Sequence, residues 1–196
     1  MAVTIEMIKE LRELTGAGVL DCKRALEETD GDFEAATEIL KQKGLAAAAK
    51  KADREAGDGL VEAYIHAGAK LGVLVEVNCE TDFVARTDEF QAFCHDVAMQ
   101  IAAADPKWIS QDDVPEDVLD EQKDAIRAEM AGENKPAHVM DRIIEGKLRK
   151  FYQENCLLDQ QFIRDEDQTI QQLLTETIAK LGENIVIARF ARFQIG

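Results

Sequence analysis

Apolar residues recur at helical steps through the first forty or so positions, about one face of a 3.6-residue period. Ile5, Ile8 and Leu11 lie on one stripe behind Thr4, a residue type suited to capping the N-terminus of a helix. Thr15-Gly16-Ala17-Gly18 interrupts the pattern. A second helix is predicted from about Val19 to Glu28, with Leu20 and the set Cys22, Ala25 and Leu26 along its face. Asp30-Gly31-Asp32 forms a turn and supplies the next cap. Phe33, Ala36, Ile39 and Leu40 then carry a third helix, which Gly44 is expected to stop. Three helices in so short a stretch make a small bundle with a marginal core.

Residues 45–58 hold few large apolar side chains and read as a helical or flexible linker ending at Gly57. Leu60–Ile65 and Val73–Asn78 are predicted strands, joined as a hairpin through His66-Ala67-Gly68-Ala69-Lys70-Leu71-Gly72. From Thr81 the period turns helical through Phe83, Val84, Phe90, Phe93, Val97 and Ile101, until Pro106 ends it. Pro115 opens another helix with Val118, Leu119 and Ile126 inward. Residues 136–155 form the next, with Val139, Ile143 or Ile144, and Leu148 inward. Thr169–Leu181 reads as a helix stopped by Gly182, and Ile185–Gln194 as a strand. The expected fold class is α+β: a three-helix bundle at 1–44, a linker at 45–58, and a core at 59–196 with about three antiparallel strands packed by helices.

A chain of 196 residues can bury one sizeable core, or a core and a small satellite. With 46% hydrophobic residues, three Pro and no Ser/Gly-rich run, long disordered stretches are not expected. No run of about 18 apolar residues suggests a membrane span. The acidic, helix-patterned N-terminus does not read as a signal peptide, so a cytoplasmic protein is expected. Net charge is −16, and residues 81–134 hold 14 acidic against four basic side chains, whereas residues 135–150 hold five basic against two acidic. Such acid excess repels nucleic acid, so a protein partner is the better expectation.

Cys22, Cys79, Cys94 and Cys156 form no CxxC pair, and reduced thiols are expected. Gly16-Ala17-Gly18 lacks both a preceding strand and a following Gly-Lys-Ser/Thr, so it is a turn and not a phosphate loop. Cys94-His95-Asp96 cannot act as a nucleophile set, because adjacent helical residues point apart. His66 and His138 are isolated, which gives no support to a histidine metal cluster. Asp112-Asp113 and Glu116-Asp117 lack the alternation of a calcium loop. No active site, metal or cofactor is expected.

The informative stretch is Glu80-Thr81-Asp82-Phe83-Val84-Ala85-Arg86, directly after a predicted strand. Thr81 or Asp82 can cap the helix that follows, leaving Phe83 in its first turn. Two readings stand for Phe83. It packs inward as a helix-start anchor, the common fate of Phe, or it protrudes as a wedge into a partner.

Leu11-Arg12-Glu13-Leu14-Thr15-Gly16-Ala17-Gly18-Val19-Leu20-Asp21-Cys22-Lys23-Arg24-Ala25-Leu26 resembles the N-terminal signature of the elongation factor Ts family. Glu76-Val77-Asn78-Cys79-Glu80-Thr81-Asp82-Phe83-Val84-Ala85-Arg86 resembles that family's second signature. The likeness continues through Glu145-Gly146-Lys147-Leu148-Arg149-Lys150-Phe151-Tyr152 and Ile187-Ala188-Arg189-Phe190, and so covers essentially the whole chain. It implies a guanine nucleotide exchange factor for elongation factor Tu that binds the GDP form, perturbs its magnesium site and lets GTP reload.

The resemblance further implies that the N-terminal bundle is ubiquitin-associated-like and docks on the nucleotide-binding domain of elongation factor Tu through Arg12, Val19, Leu20 and Lys23. Val19 and Leu20 could equally fill the bundle core. Asp82, Phe83, Val84 and Ala85 correspond to the element that intrudes near the partner's magnesium, and His66 to a hairpin contact with another of its domains. One sheet's worth of strands matches the short family form, which implies a homodimer. Two other classes compete: a ubiquitin-associated-like adaptor, for which residues 60–196 would be dispensable, and a small hydrolase that Cys94→Ala would inactivate.

Overall fold

A computed structural model describes residues 3–130 and 136–196. The first two residues of the segment read as non-leader, and Lys135 of the basic stretch, lie outside the described residues. The chain opens with α1 (Ile5–Thr15), α2 (Val19–Glu28) and α3 (Phe33–Ala49). A hairpin, β1 (Asp58–Ile65) and β2 (Leu71–Cys79), follows, then the single turn α4 (Asp82–Ala85) and the long α5 (Asp88–Ala104). Next come α6 (Glu116–Glu129), α7 (Ala137–Asn155), the short strands β3 (Gln161–Phe162) and β4 (Asp165–Thr169), α8 (Ile170–Leu181) and β5 (Ile185–Gln194). The described fold is thus α+β.

The caps stand where side-chain chemistry demands them. Thr4 accepts a hydrogen bond from the Met7 amide at 3.2 Å, and Asp32 from the Ala35 amide at 3.1 Å. Gly16 ends α1 in the left-handed region at φ 66, which costs glycine nothing. Leu11, Cys22, Ala25, Leu26, Ala36 and Leu40 form the buried centre of the three-helix bundle, with Met7, Ile8, Phe33 and Ile39 packed around it.

Gly44 does not stop α3. The helix runs on to Ala49 and buries Ala48. A Cβ built on Gly44 would stand 3.4 Å from the Ala179 Cβ, so the missing side chain marks where α3 and α8 approach closely. Lys51 Nζ then donates to the Ile178 carbonyl at 3.4 Å. The expected helical run from Thr81 is likewise two helices. Thr87 interrupts it: its hydroxyl donates to the Val84 carbonyl at 2.8 Å and accepts from the Phe90 amide at 3.2 Å, capping α5 afresh.

The main sheet has the order β1-β2-β5. The hairpin makes β1 and β2 antiparallel. The Asn184 amide reaches the Glu80 side chain past one end of β2 and the Ile195 amide reaches the Lys70 carbonyl at the other, so β5 also runs antiparallel to β2. Alternate residues Val73, Val75, Val77 and Cys79 are buried, the period of two of a strand with one face covered. Gly59 has φ 140, and a Cβ there would sit 2.2 Å from the Val77 carbonyl oxygen.

The chain divides into two compact units. The first comprises 1–61, 76–94 and 172–188; the second comprises 62–75, 95–171 and 189–196. In the second, β3 and β4 form an antiparallel ladder that the sequence pattern did not suggest, pairing Gln161 with Thr169 and Phe162 with Asp165. Its anchor is Gln100, 1% exposed, which donates to the Gln160 side chain and the Gln161 carbonyl and accepts from the Ile163 amide. A buried amide is tolerated because its hydrogen bonds are satisfied.

Candidate functional site

The Thr81–Ala85 turn lies in the first unit, where the chain leaves β2 and enters α4. Amides at such a junction have neither a ladder partner nor a helical one. Glu183 supplies the acceptors. Its Oε2 takes the Glu80 amide at 3.1 Å and the Thr81 amide at 3.0 Å, and its Oε1 takes the Thr81 hydroxyl at 2.6 Å. The exchange is reciprocal: Glu80 Oε1 accepts from the Asn184 amide at 2.6 Å. Asn184 is buried, and its Nδ2 donates to the Ala52 and Arg54 carbonyls at 3.3 and 2.8 Å. On the strand side the Cys79 thiol donates to the Thr81 carbonyl at 3.2 Å. Burial pushes that thiol above its ordinary value, which keeps it in the neutral donor form.

Thr81 is the N-cap, its hydroxyl accepting from the Val84 amide at 3.4 Å. Two residues on, Phe83 is 81% exposed, so the core-anchor reading of this residue does not hold. Asp82 is half exposed and paired with Arg86 at 2.7 Å. Such a surface pair contributes about 0–1 kcal/mol and is readily exchanged for another partner. Ala85 is buried and faces inward, anchoring the turn, while Val84 is half-buried.

In the same unit, Val19 and Leu20 are 52% and 67% exposed, so they do not fill the bundle core. Arg12 and Lys23 are also exposed, Lys23 within 3.6 Å of Glu27. Leu14, also exposed, lies just before the Gly16 turn beside Phe33 and Thr37 of α3, and the sequence pattern did not single it out. Lys180 of α8 lies against Gly16 and pairs with Glu89 of α5 at 3.8 Å.

His66 belongs to the second unit, at the exposed hairpin end. Its Nδ1 is 3.0 Å from the Tyr64 hydroxyl, and Tyr64 also meets the His95 ring edge-on at 5.8 Å. His95 Nδ1 is 2.8 Å from Glu62, while Asp96 holds Arg164 at 2.7 Å. Cys94 is wholly buried, so these three neighbours serve three separate ends. Burial likewise raises the Cys22 thiol, and pushes Cys156 up to about 11. Among the described residues no group of three or more His, Cys, Asp or Glu could hold a metal ion, and no helix is long and apolar enough to cross a membrane.

Large apolar side chains left on a surface mark interaction sites. The class defined by this fold and site is an α+β protein that leaves an aromatic turn and an aliphatic helix corner exposed. A family model described as elongation factor Ts matches residues 34–196. The chain is similar to elongation factor Ts of Caldanaerobacter subterraneus subsp. tengcongensis, 62% identical over 194 residues that cover 99% of this chain and 97% of that protein. It is 60% identical to the elongation factor Ts of a Thermoanaerobacter species, over 99% of this chain and 95% of the other. With that of Fervidobacterium nodosum it shares 54% identity over the full length of both. The chain belongs to the elongation factor Ts family.

Proposed function

We propose that this protein is a guanine nucleotide exchange factor for elongation factor Tu, working in the cytoplasm during protein synthesis. The observation that carries the reading is Phe83, 81% exposed on a turn that Glu183 clasps from the other side. An aromatic held out in water gains free energy only when something else covers it. Full burial of such a side chain is worth about 1.5–3 kcal/mol.

Exchange needs no covalent step and no cofactor of the factor's own. A protein that binds nucleotide-free partner more tightly than nucleotide-bound partner must, by linkage, weaken nucleotide binding by the same factor. In this proposal Asp82 and Phe83 intrude beside the partner's magnesium, with Val84 at the rim and Ala85 as the inward anchor. Magnesium is the large local charge that holds the phosphates, so disturbing its surroundings is an effective lever. Arg12, Val19, Leu20 and Lys23 dock on the nucleotide-binding domain as a ubiquitin-associated-like bundle, and His66 touches a further domain. GDP leaves, GTP enters, and the factor is released. Nucleic acid is not a direct partner, in keeping with the net charge of −16.

Self-association is part of the proposal. In the second unit, Ile65, Leu74, Phe193 and Ile195 are exposed apolar side chains around one groove at the hairpin end. A second copy covering that groove would make a homodimer. Light scattering across a concentration series checks this: a monomer at every concentration removes the dimer and leaves the exchange reading intact.

The test of exchange is the release of a fluorescent GDP analogue from elongation factor Tu of the matching species, with and without this protein. Substoichiometric protein accelerates release if the proposal holds. No acceleration by folded protein removes it, and an adaptor role becomes the leading reading.

A further inference from the structure

We propose that Glu183 is the positioning residue of the Phe83 turn, an inference that rests on the exchange reading above. Three donors converge on this one carboxylate: the Glu80 amide, the Thr81 amide and the Thr81 hydroxyl, at 3.1, 3.0 and 2.6 Å. Hydrogen bonds to an ionised acceptor are roughly twice as strong as neutral ones. Among the described residues of the unit, no other side chain has hydrogen bonds to both the Glu80 and Thr81 amides. Cys79 reaches only the Thr81 carbonyl, and Glu80 secures the opposite strand by accepting from the Asn184 amide.

The consequence for Phe83 follows from entropy. An aromatic on a loose loop must be ordered as it inserts, and fixing the backbone of each residue costs conformational entropy. A turn already fixed at its cap enters the complex with that cost met during folding, which is how preorganisation raises affinity. Glu183 lies 102 positions from Thr81 in sequence and touches the turn only through its side chain. Its effect on exchange therefore passes through Phe83.

Glu183 differs in this from its neighbour. Asn184 is 3% exposed and binds the Ala52 and Arg54 carbonyls, so its loss damages the fold itself. Glu183 is only half-buried, and water can replace its carboxylate at the two amides. Removal of Glu183 loosens the turn and spares the unit.

The experiment is a double-variant cycle in the fluorescent-GDP release assay with full-length protein. Glu183→Ala is expected to slow stimulated release on the order of tenfold, the factor by which one more backbone residue to be ordered on binding lowers affinity. In the Phe83→Ala background the same change is expected to do nothing further. Glu183→Gln recovers most of the activity, because its oxygen can accept both amides while its NH2 group meets the Thr81 hydroxyl. Glu183→Asp, one methylene short, behaves as Glu183→Ala and serves in its place should that variant not fold. Hydrogen exchange at the Glu80 and Thr81 amides is expected to quicken in Glu183→Ala, an effect independent of activity. Full activity in Glu183→Ala, or losses that multiply in the double variant, overturns the inference while wild-type acceleration keeps the exchange reading. Absence of wild-type acceleration takes both down.

Discussion

Phe83→Ala is expected to separate the proposed exchange function from folding. The side chain is 81% exposed in the free protein, so its removal takes almost nothing from the core. Surface substitutions of this kind stay within about 0.5 kcal/mol of neutral, and Ala is at least as good as Phe inside a helical turn. What the side chain can still gain is the burial that it lacks. Four-fifths of a full Phe burial is ~1.2–2.4 kcal/mol, or a factor of roughly 7–50 in affinity at about 1.4 kcal/mol per tenfold. The variant is expected to keep its urea midpoint and to lose that factor in binding nucleotide-free elongation factor Tu, read by titration calorimetry or competition. Two results would refute the reasoning. A fall in stability above about 1 kcal/mol would mean that Phe83 is packed after all. Unchanged affinity with unchanged stability would mean that the wedge is not at the interface.

Leu20→Ala, at the exposed helix corner, is expected to leave stability unchanged and weaken binding about tenfold in the same titration. Gly44→Ala removes a flexible residue from the interior of α3, and the added methyl meets Ala179 at an ordinary 3.4 Å; urea unfolding is expected to show a gain of roughly 0.5–1 kcal/mol. Gly59→Ala is expected to be far less stable, by more than about 2 kcal/mol, since its Cβ would fall 2.2 Å from the Val77 oxygen at φ 140. Burial lifts Cys156 from 9.0 to about 11, so the unfolded chain loses this proton first. Its contribution to stability is whole below pH 9.0 and drains away as pH rises toward about 11. Denaturant midpoints across that window should fall more steeply in the wild type than in Cys156→Ala.

Local chemistry was readable from the residues alone. The span Val19–Glu28, the cap at Asp32 and the strand Ile185–Gln194 follow from short-range pattern, and the structure places them at those positions. Gly44 misled because the same residue ends helices and lets helices touch; only the position of Ala179 decides between the two. The break at Thr87 was hidden by Phe and Val at helical spacing on both sides of it. The β3–β4 ladder is mostly Asp, Glu and Gln, with Thr169 its one β-branched residue, and is fastened by a buried Gln100, so its pattern resembles a loop. At the site, the spacing marked the turn but left the direction of Phe83 open, because a helix-start residue can face either way; only the family resemblance pointed outward. Glu183 left no local sign, since its partners at Glu80 and Thr81 are more than a hundred residues distant.

Nucleotide exchange of the proposed kind is a coupling of two bindings, which must be reciprocal. The affinity of this protein should be measured for nucleotide-free and for GDP-bound elongation factor Tu, and the affinity of the partner for GDP should be measured with and without this protein. Tighter binding to the nucleotide-free form is expected, by the same factor by which GDP binding weakens. Equal affinity for the two forms would contradict it, because a ligand indifferent to both states shifts neither.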